Sequence, residues 1–142
     1  FMRYSRQEIF KEIGKKGQKK LINKTIAVVG IGAIGSVSAE LLARAGIGKL
    51  ILVDRDVVEL SNLQRQNLLD ESDIGKPKAQ IAKEHLNKIN SDIEIVSVID
   101  DLNFNNINEI LAVCNNGKNN NTTLIKKIIS IKSLNNENFN TK

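Results

Sequence analysis

Three glycines within six residues constrain this chain more than any other feature: Gly30-Ile31-Gly32-Ala33-Ile34-Gly35. The β-branched run at 25–29, Thr-Ile-Ala-Val-Val, precedes them and reads as a strand buried on both faces, as in a parallel sheet. Helical spacing follows over 36–45, with Val37, Leu41, Leu42 and Ala45 expected on the apolar side and Gly46 placed to end the helix. A glycine loop between a strand and a helix has a physical logic. The first glycine permits the tight turn, the second lets a phosphate approach the backbone, and the third lets helix and strand pack closely. The helix start then offers free N–H groups and a positive dipole end to an anion.

The alternation continues. Residues 49–53, Lys-Leu-Ile-Leu-Val, read as a second strand ending at Asp54, 24 positions after Gly30. An acid at that place can accept from a ribose hydroxyl. Pro77 suits a helix start, and Ala79, Ile81, Ala82, Leu86 and Ile89 continue the helix. Residues 93–99 read as a third strand. Asn106 and Glu109 resemble a capping box opening a short helix to about residue 111. This order predicts a Rossmann-like α/β fold: a parallel sheet with helices on both faces and right-handed crossovers. Three zones are expected: a basic helical segment at 1–24, a nucleotide-binding domain at 25–114, and an asparagine-rich tail at 115–142 that is loose or disordered. Residues 124–134 fit either a strand or a helix.

Composition excludes other classes. No stretch approaches the roughly 20 apolar residues of a membrane helix, and the polar N-terminus lacks the apolar run of a signal peptide. One cysteine, Cys114, allows neither an internal disulfide nor a four-cysteine zinc site, so a cytoplasmic compartment is expected. Cys114 reads as a small buried apolar residue, with a catalytic thiol as the alternative. The net charge is +5, and four lysines lie within residues 15–20. They lack interleaved aromatic residues, which argues against nucleic-acid binding and leaves an acidic protein partner open.

Asp54-Arg55-Asp56 and residues 59–66, Glu-Leu-Ser-Asn-Leu-Gln-Arg-Gln, carry the polar chemistry. Ser61 is expected to cap a short helix on which Asn62, Arg65 and Gln66 share one face. Arg65 offers a planar fork to phosphate oxygens, and Lys76 and Lys78, flanking Pro77, supply point charges. Such a set suits a triphosphate better than a dinucleotide, although the glycine loop alone does not separate ATP from NAD.

At these residues the chain resembles the ThiF/MoeB/HesA adenylating proteins, relatives of the ubiquitin-activating E1-type adenylation domain. The matching stretches are Arg3-Tyr4-Ser5-Arg6-Gln7, residues 30–35, Val53-Asp54-Arg55-Asp56, residues 59–66 and Ile74-Gly75-Lys76-Pro77-Lys78-Ala79, in order from residue 3 to about 111. The resemblance implies ATP-dependent adenylation, with magnesium, of the C-terminal glycine carboxylate of a ubiquitin-like sulfur-carrier protein ending in Gly-Gly. It implies that Gly30, Gly32, Ala33 and Gly35 line the ATP, with Ala33 standing where many members have glycine. Asp54 would hold the ribose. Asn62, Arg65 and Lys78 would hold the phosphates, within a binding stretch that also contains Ser61, Leu63, Gln64 and Gln66. Arg6 would reach the partner's ATP across a homodimer. Asp56 is left between assisting a metal and bracing the loop.

The sequence departs from that pattern near its end. The family continues into a fourth strand ending in an aspartate that handles magnesium, whereas here Ala112-Val113-Cys114-Asn115-Asn116-Gly117 follows and no aspartate occurs after Asp101. Paired CxxC zinc ligands are absent too. The sheet is therefore expected to be incomplete at the C-terminal end of the chain, as in a truncated or altered copy or a fragment. Phe1 before Met2 hints that the chain ends are not natural boundaries. Two further functions stay open: a catalytically impaired nucleotide-binding or docking remnant, and an NAD-dependent redox domain.

Overall fold

The computed structural model describes residues 2–115. Short helices α1 (Ser5–Glu8) and α2 (Gly14–Ile22) precede β1 (Thr25–Val29), α3 (Ala33–Ala45), β2 (Lys49–Val53), α4 (Lys78–Ile89), β3 (Glu94–Val98) and α5 (Ile107–Asn115). The strands form one parallel sheet in the order β1-β2-β3, with Thr25 paired to Lys49 and Lys49 to Glu94 at its lower edge. Central β2 has Leu50, Ile51 and Leu52 fully buried, which explains why its sequence is a continuous apolar run.

The sheet divides the core in two. Ile26, Val28, Leu50, Leu52 and Ile95 pack on one face with Ala39 and Ala43 of α3 and Ala79, Ala82 and Leu86 of α4. Ile51 and Val53 face the other way and meet Ile110 of α5. Helices thus cover both faces, as the strand–helix alternation predicts. The 115–142 tail, apart from Asn115, lies outside the described residues, as do the segment 124–134 and the side chain of Cys114.

Two local expectations are corrected. Helix α3 starts at Ala33, three residues early, and buries Gly35, Ser36, Ala39 and Ala43, while Val37 and Leu41 face outward. The reason is spacing: a Cβ on Gly35 would lie 1.8 Å from the Gly30 carbonyl oxygen, so α3 sits too close to the sheet for large side chains. Helix α5 is capped one turn earlier than Asn106 and Glu109 suggest. The Asn103 Oδ1 accepts from the Asn106 N–H (3.2 Å), and the Asn106 Oδ1 accepts from the Asn103 N–H (2.9 Å). That is a reciprocal box with Asn106 in the second role, and the helix runs past residue 111.

The N-terminal segment docks by buried polar contacts. The Tyr4 hydroxyl accepts from Asn90 Nδ2 at 2.9 Å, and Asn90 Nδ2 also donates to the Ala43 carbonyl at 2.7 Å. Gln7 and Gln18 are hydrogen-bonded to each other, and each donates to the Ala45 carbonyl at 3.0 Å. These side chains tie the N-terminal segment to the Ala43 and Ala45 carbonyls in the last turn of α3, and the Ala43 carbonyl also accepts from the Gly46 N–H at 3.2 Å.

Candidate functional site

Parallel sheets bind ligands beyond the C-terminal ends of their strands, and here the glycine loop and Asp54 lie at that edge. Gly30 adopts φ +85°, a conformation that disfavours any side chain, and turns the chain from β1 into α3. Its N–H extends the sheet by donating to the Val53 carbonyl at 2.8 Å. The first intrahelical bond is from Ser36 N–H to the Gly32 carbonyl (2.9 Å), so the N–H groups of Ala33, Ile34 and Gly35 precede the helical ladder. A Cβ at Gly32 would meet nothing within 4 Å, leaving open space over the loop.

Asp54 organises this edge. Its Oδ2 accepts from the Ile31 N–H at 2.6 Å, and its Oδ1 from the Asp56 N–H at 2.8 Å. One carboxylate therefore ties the glycine loop to the chain leaving β2. Each oxygen retains a second lone pair, so the group can also accept from a ligand hydroxyl.

Lys78 is the most unusual residue here. It is the first residue of α4 and only 6% exposed, with Pro77 as the N-cap. Burial and the positive end of a helix dipole both oppose a cation at that place. Its Nζ lies 3.5 Å from Asp56 Oδ2, and its backbone N–H donates to the Asp56 carbonyl at 3.0 Å. A short antiparallel strap holds the pair: Val57 bridges Pro77, Val58 N–H donates to Lys76 O, and Gly75 N–H donates to Val58 O, both at 2.9 Å. Lys76, by contrast, is exposed and turns to Asp73 at 3.7 Å, so the two lysines do not act together. Arg55 leans outward to Asp101 at 2.8 Å.

The 59–66 stretch is rearranged relative to expectation. A 3-10 turn, Leu60–Asn62, replaces the helix, and Glu59, not Ser61, is its N-cap. Ser61 is exposed and donates to the Glu59 carboxylate at 3.3 Å. Asn62 is buried because its Oδ1 accepts from the Glu59 N–H at 3.1 Å. Gln66 is buried as well, and its Oε1 has no hydrogen-bond partner among the described residues. Arg65 and Gln64 are exposed, and the Arg65 guanidinium folds back to donate to the Ser61 carbonyl at 2.8 Å. Asn62, Arg65 and Gln66 thus do not share one face: two serve the interior and one faces solvent. Leu63 packs against Val58, Leu69 and Ile81.

Arg6 stands apart. It is exposed on α1, and its neighbour Gln7 is bonded to Ala45, at the opposite end of α3 from the glycine loop, about 20 Å along the axis. The pairing of Asp56 with Lys78 is what sequence inspection misses; 22 positions separate them, and only the strap brings them together.

A parallel three-stranded sheet with glycine loop, Asp54 and Lys78 converging at its C-terminal edge defines a Rossmann-like α/β domain. More particularly, the chain belongs to the ThiF family, which it matches over residues 4–124. It is 49% identical over 111 residues to the sulfur carrier protein ThiS adenylyltransferase of Bacillus subtilis (strain 168), covering 77% of this chain and 33% of that protein. Its identity to the Escherichia coli (strain K12) protein of the same name is 44% over 98 residues, or 69% of this chain and 39% of the relative. Among solved structures, E. coli tRNA N6-threonylcarbamoyladenosine dehydratase, TcdA, in complex with ATP superposes with a TM-score of 0.73 at 32% identity, covering 79% of this chain and 45% of that one. The chain thus spans about a third to two fifths of the length of these curated relatives. Among the described residues, no helix is long and apolar enough to cross a membrane.

Proposed function

We propose that this chain binds ATP at the C-terminal edge of its sheet and belongs to an enzyme that adenylates the C-terminal glycine carboxylate of a ubiquitin-like sulfur-carrier protein. Lys78 is the observation that carries the ATP site: a buried cation at a helix N-terminus, linked through Asp56 and Asp54 to the glycine loop, favours a phosphate chain. The relatives support the reaction, since two are sulfur-carrier adenylyltransferases and a structural neighbour was crystallised with ATP.

In this reaction the carrier's carboxylate oxygen attacks the α-phosphorus, the α–β bridging bond breaks, and pyrophosphate leaves. Asp54 accepts from the ribose, the loop N–H groups and Lys78 take the phosphate charge, and Arg65 adds a guanidinium once it leaves the Ser61 carbonyl. The remaining loop residues, Gly30, Ala33, Gly35, Ser61, Leu63, Gln64 and Gln66, shape the wall. Magnesium accompanies ATP as a charge-neutralising ion, with no side chain assigned to it. Arg6, exposed and remote from its own glycine loop, fits a role in the site of a second copy in a homodimer.

The test mixes this chain with ATP, magnesium, labelled pyrophosphate and a carrier ending in Gly-Gly. Carrier-dependent entry of label into ATP is expected. Stabilisation by NAD in preference to ATP in a thermal-shift titration would overturn the proposal in favour of a redox domain.

A further inference from the structure

We infer that Asp56 is the positioning residue for Lys78, a charged latch that holds the ammonium in place for the phosphates; this inference rests on the ATP reading above. Three observations meet at Asp56. Its carboxylate stands 3.5 Å from the Lys78 Nζ, and its carbonyl accepts from the Lys78 N–H at 3.0 Å, so side chain and backbone grip the same residue. Its own N–H is fixed by Asp54 Oδ1 at 2.8 Å, and the other Asp54 oxygen holds Ile31 in the glycine loop at 2.6 Å. A continuous chain of contacts therefore runs from the phosphate-facing loop through Asp54 and Asp56 to Lys78.

The chemistry explains why a latch is needed. A lysine has a flexible four-carbon stem whose charged end wanders unless something holds it. Lys78 is buried at the first position of α4, where the helix dipole adds to the penalty. A neighbouring carboxylate supplies the counter-charge at that place. At 3.5 Å the pair is looser than a charge-assisted hydrogen bond, which is about 2.7–2.9 Å long. The ammonium is thus steadied while its N–H donors stay available to an arriving phosphate. Asp56 does not need to touch the ligand for this.

The test compares ATP, AMP and adenosine binding by calorimetry for the full chain and for Asp56→Asn, Asp56→Glu, Lys78→Met and the Asp56→Asn/Lys78→Met double variant. Asp56→Asn should weaken ATP binding by about tenfold, the low end for losing a contact to a charged group because the pair is loose, while adenosine binding stays within about twofold. Asp56→Glu should recover part of the loss. In the double variant the Asp56 change should add nothing to the Lys78 change, because both act on one group. Unchanged or tighter ATP binding by Asp56→Asn overturns the latch. So does an equal loss for ATP and adenosine, which marks a structural role only, and so do additive effects. A wild-type chain that does not bind ATP overturns the ATP reading itself, and the latch with it.

Discussion

Gly35→Ala tests the close approach on which this fold depends. A Cβ at position 35 would lie 1.8 Å from the Gly30 carbonyl oxygen and 2.9 Å from its carbonyl carbon, both backbone atoms in a fixed turn. Ordinary contact needs about 3.5 Å, so α3 must retreat by roughly 1.5 Å. That retreat loosens Ser36, Ala39 and Ala43, which are fully buried against the sheet. Overpacking costs up to about 3 kcal/mol, the loosened contacts add about 1, and the better helix propensity of alanine returns about 1. The net is about 3 kcal/mol, or a melting temperature lower by roughly 12 °C or more for a domain of this size. Gly32→Ala is the control, since nothing lies within 4 Å of its Cβ and its φ of −88° is ordinary. Its stability should stay within about 1 kcal/mol of wild type, while ATP affinity falls because the methyl enters the space over the loop. Urea unfolding followed by far-UV circular dichroism measures both, as the chain has no tryptophan to follow. A Gly35→Ala midpoint equal to wild type would refute the reasoning.

Three further outcomes are expected. Gly46→Ala should destabilise by more than the roughly 1 kcal/mol of a strained left-handed residue, because the new methyl at φ +82° would meet the Tyr4 ring at 2.5 Å; faster proteolysis of the N-terminal segment reads the same displacement. Tyr4→Phe removes one acceptor from Asn90, whose Nδ2 keeps the Ala43 carbonyl, so denaturant titration should show a loss near 1 kcal/mol and no more. Ser72 donates its hydroxyl and its N–H to the Asp70 carboxylate and holds its pKa below the ordinary value. A depressed carboxylate stabilises the fold above the ordinary carboxyl range and loses that contribution as pH falls through its folded value. Asp70→Asn should therefore flatten part of the acid limb of the stability–pH curve below about pH 4 and leave the slope between pH 5 and 7 unchanged; an altered slope there contradicts the assignment.

Some of the site is legible from residue order because its determinants are local. A strand, a glycine turn and a helix start are neighbours in sequence, so residue order alone places Gly30, Gly35 and Asp54. The 59–66 stretch misleads because helical spacing says which residues share a face but not which way the face points. Asn62 turns inward to close its own turn with Glu59, and Arg65 is left on the other side. Val37 and Leu41 mislead for a related reason: apolarity suggests burial, but the distance between α3 and the sheet admits only small side chains.

By itself the sequence determined the parallel α/β class, the glycine loop, the acid ending β2 and the polar stretch that carries the ThiF resemblance. Each depends on periodicity or on residues a few positions apart. Only the tertiary structure decided that the Tyr4, Gln18 and Asn90 side chains are interior, that the two lysines around Pro77 part company, and that Asp56 grips Lys78. The Tyr4–Asn90, Gln18–Ala45 and Asp56–Lys78 contacts join residues far apart in the chain, and their geometry exists only after the sheet and the 56–78 strap have brought the backbones together.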